Sequence, residues 1–225
     1  MQTDSVRFAM VADAWFNYSK QNDDYVYSVS ANTTWQWKSR DLREIFFVLG
    51  NYSLVSTQDQ DYQNSWLLHG RYNRKISQLF RTEAFLQHQN NKLLVIDSRF
   101  LAGAGIRLKV VDKDHLSAYL GQSVMYEIEE SSGFDQKNYN WRHNAYFSLS
   151  LTTKDEKVSL TNTIYFQPLY RAISNHRILQ QFKIEVPISE VISISGSYNY
   201  FLMSETPAGV SDSSSNVYFG LSFSI

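Results

Sequence analysis

The sequence predicts an all-β protein, a single antiparallel transmembrane up-and-down β-barrel of about twelve strands. Three observations lead to this prediction. Apolar and polar residues alternate along the whole chain, and most alternating segments are longer than the ~5–6 residues typical of soluble strands. The 225 residues also include 15 Tyr, 14 Phe and 5 Trp, and aromatic residues favour membrane interfaces. We expect one outer-membrane barrel domain over residues 1–225.

Alternation places the first six strands at roughly 3–19, 25–39, 43–57, 62–74, 78–90 and 93–110. The apolar face begins with Val6 in the first strand and with Tyr25 in the second. The third is the least regular, because its Phe-Phe-Val-Leu run at 46–49 places bulk on both faces. A tight connection near 75–77 separates the fourth from the fifth, and the sixth alternates strictly over 94–110.

The other six strands are predicted at roughly 115–130, 138–152, 156–168, 176–187, 190–204 and 214–225. The same period continues within Leu116–Ile128, His143–Leu151, Val158–Phe166, Ile178–Val186 and Ile192–Leu202. The chain ends in NVYFGLSFSI, where every second residue from Val217 to Ile225 is apolar. We expect this segment to be the strand that closes the cylinder. No segment has the 3.6-residue apolar stripe and caps of a helix.

The connections also favour a barrel. Those near 40–42, 75–77, 111–114, 153–155 and 188–189 are tight. Those near 20–24, 58–61, 131–137, 169–175 and 205–213 are mostly longer and more polar, with a short one near 91–92. Because outer-membrane barrels have short periplasmic turns and longer outer loops, we expect the N-terminus in the periplasm.

Aromatic residues are expected to form two girdles at the heights of the membrane interfaces. The predicted outer girdle contains Trp15, Tyr18, Tyr25, Tyr27, Tyr62, Tyr126, Tyr139 and Trp141. The predicted inner girdle contains Trp35, Trp37, Tyr72, Phe80 and Phe223. The alternative of a soluble β-sandwich with surface tyrosines would need shorter strands and would leave the girdles as coincidence.

Composition excludes several classes of function. The formal net charge of −1 gives no basic surface for nucleic acid, and the absence of Cys excludes disulfides and thiolate metal sites. The mean hydropathy of −0.36 is compatible with a membrane barrel, in which every second residue faces a polar interior. No signal peptide is recognisable, so we expect a mature exported form.

Three stretches carry a resemblance to a known family. They are the glycine-containing strand Leu101–Leu108, the tight turn and strand at 186–195, and the loop Glu205–Val210, which is followed by Asp212 and the closing Gly220–Phe223. Over roughly residues 40–225 the chain resembles the salt-induced outer-membrane proteins, a domain of unknown function. The resemblance implies an outer-membrane barrel of a Gram-negative bacterium and supplies no catalytic residues.

Charged side chains fall on the predicted bore face. We expect a lumen charge network formed by His69, Arg71, Arg81, Glu83, Asp97, Arg99, Arg107, Glu127 and Glu129. Hairpins closing near Ile76, Asn91 and Lys113 would place His69 opposite Glu83, Glu83 opposite Arg99, and Arg99 opposite Glu127. Buried charges need partners, so the network either fills and rigidifies the lumen or forms a selectivity constriction for a small solute.

Hydrolytic chemistry has weaker support. A serine hydrolase needs a nucleophile within hydrogen-bond reach of an oriented base. His143 falls on the lipid face while Ser148 and Ser150 fall on the opposite face, and His88 lies in a polar rim near an outer loop. We therefore predict no catalytic, cofactor-binding or metal-binding residues, and no cofactor.

The sequence thus favours a non-enzymatic, porin-like accessory or structural barrel with a narrow conduit for a small solute. Its expected partners are outer-membrane lipid and lipopolysaccharide, and other outer-membrane proteins. Two alternatives remain open. One is a membrane-embedded hydrolase acting on lipid or lipopolysaccharide, and the other is an accessory subunit of a larger outer-membrane complex, for which the double-sided run at 46–49 is the only hint.

Overall fold

A computed structural model describes residues 7–22, 24–59, 61–131, 137–206 and 211–224. Over these ranges the chain forms a closed barrel of twelve antiparallel strands, as predicted. Each strand pairs with the next along the chain, and β1 closes on β12. The strands are β1 Phe8–Gln21, β2 Asp24–Lys38, β3 Glu44–Thr57, β4 Asp61–Lys75, β5 Phe80–Asn91, β6 Ile96–Lys113, β7 Leu116–Ser131, β8 Asn138–Thr152, β9 Ser159–Leu169, β10 Ala172–Pro187, β11 Ile192–Met203 and β12 Ser213–Ser224.

The strand boundaries follow the predicted ones closely, with two informative differences. β6 begins after a single 3-10 turn, Lys92–Leu94, because Val95 adopts a left-handed conformation with φ 56°. β10 begins at Ala172, before the predicted residue 176, and pairs with β9 through a bulge between Ala172 and His176. Several predicted positions lie outside the described residues, namely 3–6 of the first strand, 132–136 and Pro207–Val210 of two loops, and Ile225.

The predicted alternation of short and long connections is wrong. Both termini of the barrel, Phe8 and Ser224, lie at one end, which we call the proximal end, and the opposite end is called the distal end. Connections at the distal end are as short as 170–171, and those at the proximal end are as long as 153–158. The strands continue into the predicted loops, so connection length does not distinguish the two ends.

Apolar side chains cover the outside of the barrel. Phe219 is 77% exposed on β12, and Phe16 and Ile173 are almost as exposed on β1 and β10. Polar side chains such as Ser195, Ser222 and Gln36 are buried in the bore instead. This inverted arrangement is the one that a lipid environment selects. Within the described residues, no helix is long and apolar enough to cross a membrane.

Exposed aromatic residues lie near both ends. At the distal end Tyr62, Tyr139 and Trp141 are exposed, and at the proximal end Trp35, Trp37 and Phe80 are exposed. These positions agree with the predicted girdles. Trp15 is the exception, since it is buried and a Cβ at Gly220 would come within 2.1 Å of its ring. Its place in the outer girdle is therefore wrong, because its position in the alternation of β1 turns it into the bore.

Two glycines of the bore make room for aromatic rings on the neighbouring strand. Phe85 lies directly opposite Gly103, where an added Cβ would meet its ring at 2.4 Å. Tyr146 lies opposite Gly121, where an added Cβ would approach its ring to 2.0 Å. Glycine in a strand interior often marks such a close approach. The rings of Phe85 and Tyr146 thereby pack over the neighbouring strands inside the bore.

Candidate functional site

Charged side chains of the bore form separate groups, and the predicted register between them is wrong. Glu83 pairs across β5–β6 with Gly105, His69 pairs with Gln87, and Arg99 pairs with Glu129. All three hairpins close later than expected. For β5–β6 and β6–β7, the 3-10 turn and the bulges on β6 contribute to the displacement. Each displacement is an even number of residues, so the predicted faces are kept while the heights of the partners change.

The first group, which we call the distal cluster, is centred on Glu127, whose side chain is 0% exposed. Arg99 Nε donates to Glu127 Oε2 at 2.7 Å, and Arg177 Nη1 donates to the same oxygen at 2.7 Å. Arg142 Nε donates to Glu127 Oε1 at 2.9 Å. Arg177 Nη2 also donates to both carboxylate oxygens of Glu129, at 2.9 Å to Oε1 and 2.8 Å to Oε2. Two carboxylates therefore receive three guanidinium groups.

Backbone and amide groups complete the distal cluster. Arg142 Nη1 donates to the carbonyl oxygen of Gln167 at 3.2 Å, and Nη2 donates to Asn175 Oδ1 at 3.0 Å. Asn140 Nδ2 lies 3.4 Å from Glu127 Oε1. Guanidinium groups that are fixed on several sides in this way hold strands β6 to β10 together. The distal cluster is thus a highly connected network in which each charge has an opposite neighbour.

Sequence reasoning missed Arg142 and Arg177. Both lie on the bore face by simple alternation, since Arg142 precedes the outward-facing His143 and Arg177 is in phase with Lys183. That signal was available in the sequence. Asp97, in contrast, was expected in the network, yet it is exposed at the register shift between Ile96 and Ser98. The bulge there moves its side chain off the regular bore face.

The second group, which we call the proximal arginine group, contains Arg71, Arg81 and Arg107, and within the described residues Glu83 is the one carboxylate in ion-pair contact with it. Arg71 Nη1 lies 3.8 Å from Glu83 Oε2, which also accepts a 2.7 Å bond from Tyr146. Arg81 and Arg107 pair directly across β5 and β6. They are 6% and 7% exposed, and Nε of each has no hydrogen-bond partner.

An aromatic ring partly compensates these two guanidinium groups. The guanidinium carbon of Arg107 lies 3.7 Å from the centroid of the Tyr119 ring, and that of Arg81 lies 5.9 Å from it. A cation–π contact of this kind stabilises a cation but does not neutralise it. Like charges directly opposite on neighbouring strands repel. The proximal arginine group therefore has a larger excess of positive charge, three arginines to one carboxylate, than the distal cluster, where three arginines contact two carboxylates.

His69 belongs to a short polar chain that runs from Arg71 to Gln89. Arg71 Nε donates to His69 Nε2 at 3.3 Å, and His69 Nδ1 lies 3.0 Å from Gln87 Oε1. Because a guanidinium can only donate, Nε2 must accept and Nδ1 must carry the proton. Gln87 in turn donates to Gln89 at 2.6 Å. His69 is therefore a neutral orienting group for Arg71 and adds no charge to the bore.

A third group of charges lies on the opposite wall. Lys183 Nζ contacts Asp13 Oδ1 at 3.0 Å and Glu185 Oε1 at 2.9 Å. Ser222 Oγ donates to the same oxygen of Glu185 at 2.9 Å. This lysine has two carboxylate partners, so the third group adds no unpaired cation to the bore.

A cavity of about 290 Å³ lies in the bore between the two arginine-containing groups. Strands β2 to β10 all contribute to its lining. Its lining is partly apolar, with Phe47, Leu49 and Leu67, and partly basic, with Arg71 and Arg107. Phe47 pairs directly with Arg71 across β3 and β4, so apolar and basic groups lie side by side. Arg99 of the distal cluster also reaches the cavity, and among the described lining residues none is Asp or Glu. Phe47 and Leu49 explain the double-sided run at 46–49.

The remaining histidines lie outside the bore. His143 contacts Tyr170 Oη at 2.9 Å and Gln122 Oε1 at 2.7 Å on the outer face. His88 lies at the edge of the Trp66 ring, and its Nε2 is 3.1 Å from Ser98 Oγ. The described part of the chain contains no group of three His, Asp or Glu residues that could hold a metal ion.

Solved structures similar to this chain are transmembrane barrels and their relatives. The NanC porin matches with 8% identity and a TM-score of 0.59, over 96% of this chain and 98% of that chain. The translocator domain of the autotransporter NalP from Neisseria meningitidis matches with 9% identity and a TM-score of 0.53, over 97% and 86%. LpxR from Salmonella typhimurium matches with 9% identity and a TM-score of 0.51, over 97% and 99%. At these identities the similarity concerns the fold alone.

Sequence comparison gives the family. No curated protein matches the chain. A family model described as "Protein of unknown function, DUF481" matches residues 13–225, and so includes most of β1 and all of β2. Nothing in this match connects the chain with salt induction, which stays an expectation from the resemblance. The chain is a twelve-stranded membrane β-barrel that belongs to the DUF481 family of proteins of unknown function.

Proposed function

We propose that this chain is a non-enzymatic, porin-like barrel of the Gram-negative outer membrane that conducts a small solute through a narrow bore. The observation that carries the proposal is the cavity of about 290 Å³, lined by inward-facing side chains of strands β2 to β10. At ~30 Å³ per water molecule, it has room for about ten waters. A solute of similar size would fit in this cavity, in contact with its basic and apolar lining residues.

The distal cluster has the properties of a constriction with a fixed width. Glu127 and Arg99 are almost wholly buried, and their contacts tie strands β6 to β10 to one another. Charged rings of this kind select solutes in pores because they repel one sign of charge and replace the hydration of the other. In this proposal the cluster both rigidifies the barrel and limits what passes.

Conductance in planar bilayers tests the proposal. We expect the refolded protein to give small, discrete conductance steps, well below those of sixteen- to eighteen-stranded porins. Arg99→Gln should change the conductance while the barrel stays folded, and Lys183→Gln on the opposite wall is the matched control. Absence of any conductance from folded, membrane-inserted protein would contradict the proposal. If Arg99→Gln unfolds the barrel, Arg107→Gln serves as the second variant.

A hydrolase is the second candidate, and one contact favours it. His88 Nε2 lies 3.1 Å from Ser98 Oγ on the outer face near the distal end, within reach for a base and a nucleophile. The Trp66 and His88 rings pack edge to face, with their centroids 4.9 Å apart. A lipase assay in detergent with Ser98→Ala and His88→Ala decides between the candidates. His143→Ala is the matched control, since His143 contacts Tyr170 and Gln122. Activity lost only in the first two variants would favour the hydrolase.

The proposal also names the partners that would contact the outside of the barrel. Outer-membrane lipid and lipopolysaccharide would contact the apolar outer surface, where Phe46 and Val48 are exposed on β3. Co-purification from native membranes tests whether another outer-membrane protein also binds there. Increased abundance of the protein after a rise in salt concentration would support the salt induction that the resemblance implies.

A further inference from the structure

We infer that the bore selects anions, and that its mid-bore cavity binds a small organic carboxylate through Arg107 and Arg71. This inference deepens the proposed conduit by naming the class of solute. Its first basis is the imbalance of charge in the proximal arginine group. Within the described residues, Glu83 is the one carboxylate in ion-pair contact with Arg71, Arg81 or Arg107, and its Oε2 also accepts a hydrogen bond from Tyr146.

The second basis is the placement of two buried arginines directly opposite each other. Arg81 and Arg107 face one another across β5 and β6, and Nε of each lacks a hydrogen-bond partner. A pair of like charges at such positions is destabilising unless something of opposite charge lies between or beside them. Arg107 lines the mid-bore cavity and is 7% exposed, so an anion in the cavity would supply the missing acceptor.

The third basis is continuity of positive charge toward the proximal end. Arg81 also lines a depression of about 470 Å³ between the turns at 39–43 and 76–79. The same depression is lined by Arg43 and Lys75, with Asp41 as its acidic residue. Positive charge therefore extends from the cavity through the Arg107–Arg81 pair to the proximal mouth. Because the whole chain has a net charge of −1, this positive charge is a local feature of the proximal part of the bore.

The walls of the cavity define the rest of the ligand. Phe47, Leu49 and Leu67 line the cavity beside the arginines, and Phe47 pairs directly with Arg71 across β3 and β4. A small carboxylate with an uncharged, partly apolar body would therefore contact both kinds of lining residue. A fully hydrated inorganic anion would leave the apolar wall in contact with water. We therefore expect an organic carboxylate to bind better than phosphate.

Calorimetric titration of the refolded barrel in detergent, with benzoate as the probe, tests this inference. Benzamide has nearly the same shape without the charge and is the matched ligand. We expect benzoate to bind at least about tenfold more tightly, which is the size of one charge-assisted pair of hydrogen bonds. Equal affinity for benzoate and benzamide, or tighter binding of benzamide, would overturn the inference.

Variants locate the binding site. Arg107→Gln should weaken benzoate binding about tenfold or more and leave benzamide binding unchanged. Lys183→Gln removes a bore cation that already contacts Asp13 and Glu185, and it should leave both affinities unchanged. If Arg107→Gln does not fold, Arg71→Gln replaces it as the variant. The ratio of the benzoate and benzamide affinities of the unaltered protein then still tests the inference. An equal loss in Arg107→Gln and Lys183→Gln would contradict the assignment.

Failure of the conduit and failure of the anion site give different results. Benzoate binding without conductance would refute the proposed conduit and support the anion site. Conductance without a preference for benzoate over benzamide would support the conduit and refute the anion site.

Discussion

The bore contains two arginine-rich groups that differ in how closely carboxylates contact the arginines. In the distal cluster, Arg99, Arg142 and Arg177 donate to Glu127 or Glu129 within 3 Å, and two of them share one oxygen. In the proximal arginine group the nearest ion-pair distance is 3.8 Å, between Arg71 and Glu83. Buried arginines thus have close carboxylate partners in one group and lack them in the other. We propose that the arginines stabilise the barrel where carboxylates lie within hydrogen-bond distance, and that they are available to a ligand where no carboxylate lies so close.

The largest expected effect comes from the centre of the distal cluster. Glu127→Gln removes the charge that three arginines share and leaves them buried beside one carboxylate, Glu129. Breaking buried ion pairs in this way costs about 3–5 kcal/mol. We expect a decrease of that size in the free energy of unfolding, measured by urea titration in lipid vesicles. A decrease below about 1 kcal/mol would show that the cluster is not a structural element.

A matched pair of substitutions makes the comparison sharper. Arg177→Met leaves Glu127 and Glu129 short of a partner, and should lower the free energy of unfolding by about 2–3 kcal/mol. Arg107→Met leaves no carboxylate unpaired and removes the repulsion from Arg81, so we expect a change between zero and a gain of about 1 kcal/mol. The same urea titration measures both. An equal loss in the two variants would contradict the distinction between the groups.

Packing between the two groups is tested at Gly121. A Cβ at this position would overlap the Tyr146 ring, which donates to Glu83 at 2.7 Å. We expect Gly121→Ala to cost about 1–3 kcal/mol, because the ring must leave the wall. Gly70→Ala is the control, since nothing lies within 4 Å of the added Cβ there. Equal stability of the two variants would show that the ring moves without cost.

The smallest effect is expected in the turn between β2 and β3. The Ser39 hydroxyl donates to Asp41 Oδ1 at 2.5 Å, and the Arg43 N–H donates to it at 3.2 Å. Together they hold the pKa of Asp41 below its ordinary value. Since the folded pKa is the lower one, the stabilisation is complete above the ordinary pKa and is lost as the pH falls through the lowered one. Ser39→Ala should raise the pKa of Asp41 in an NMR titration, and an unchanged pKa would contradict the role of the hydroxyl.

Much of the fold could be predicted from the sequence because alternation of faces is a local property. The order of the strands, their approximate bounds and the inward direction of Arg99, Arg107 and Glu127 all follow from a period of two. The same period also places Arg142 and Arg177 on the bore face, so the sequence contains the signal for both residues.

Pairing heights could not be predicted in the same way. They depend on where each hairpin closes, and the left-handed Val95 and the bulges beside Gln89 and Ile96 give little warning in the sequence. The assignment of Trp15 to the outer girdle failed for a different reason. Its size suggested the membrane interface, although its position in the alternation of β1 already placed it on the bore face. The small Gly220 on the neighbouring strand gives its ring room there.

The central claim is that unbalanced arginines make the bore a path for anions. Its most direct test is the reversal potential of the protein in a planar bilayer that separates two KCl concentrations. We predict that chloride permeates more readily than potassium, and that Arg107→Gln moves the reversal potential toward zero. A reversal potential of the opposite sign, showing preference for potassium, would contradict the account.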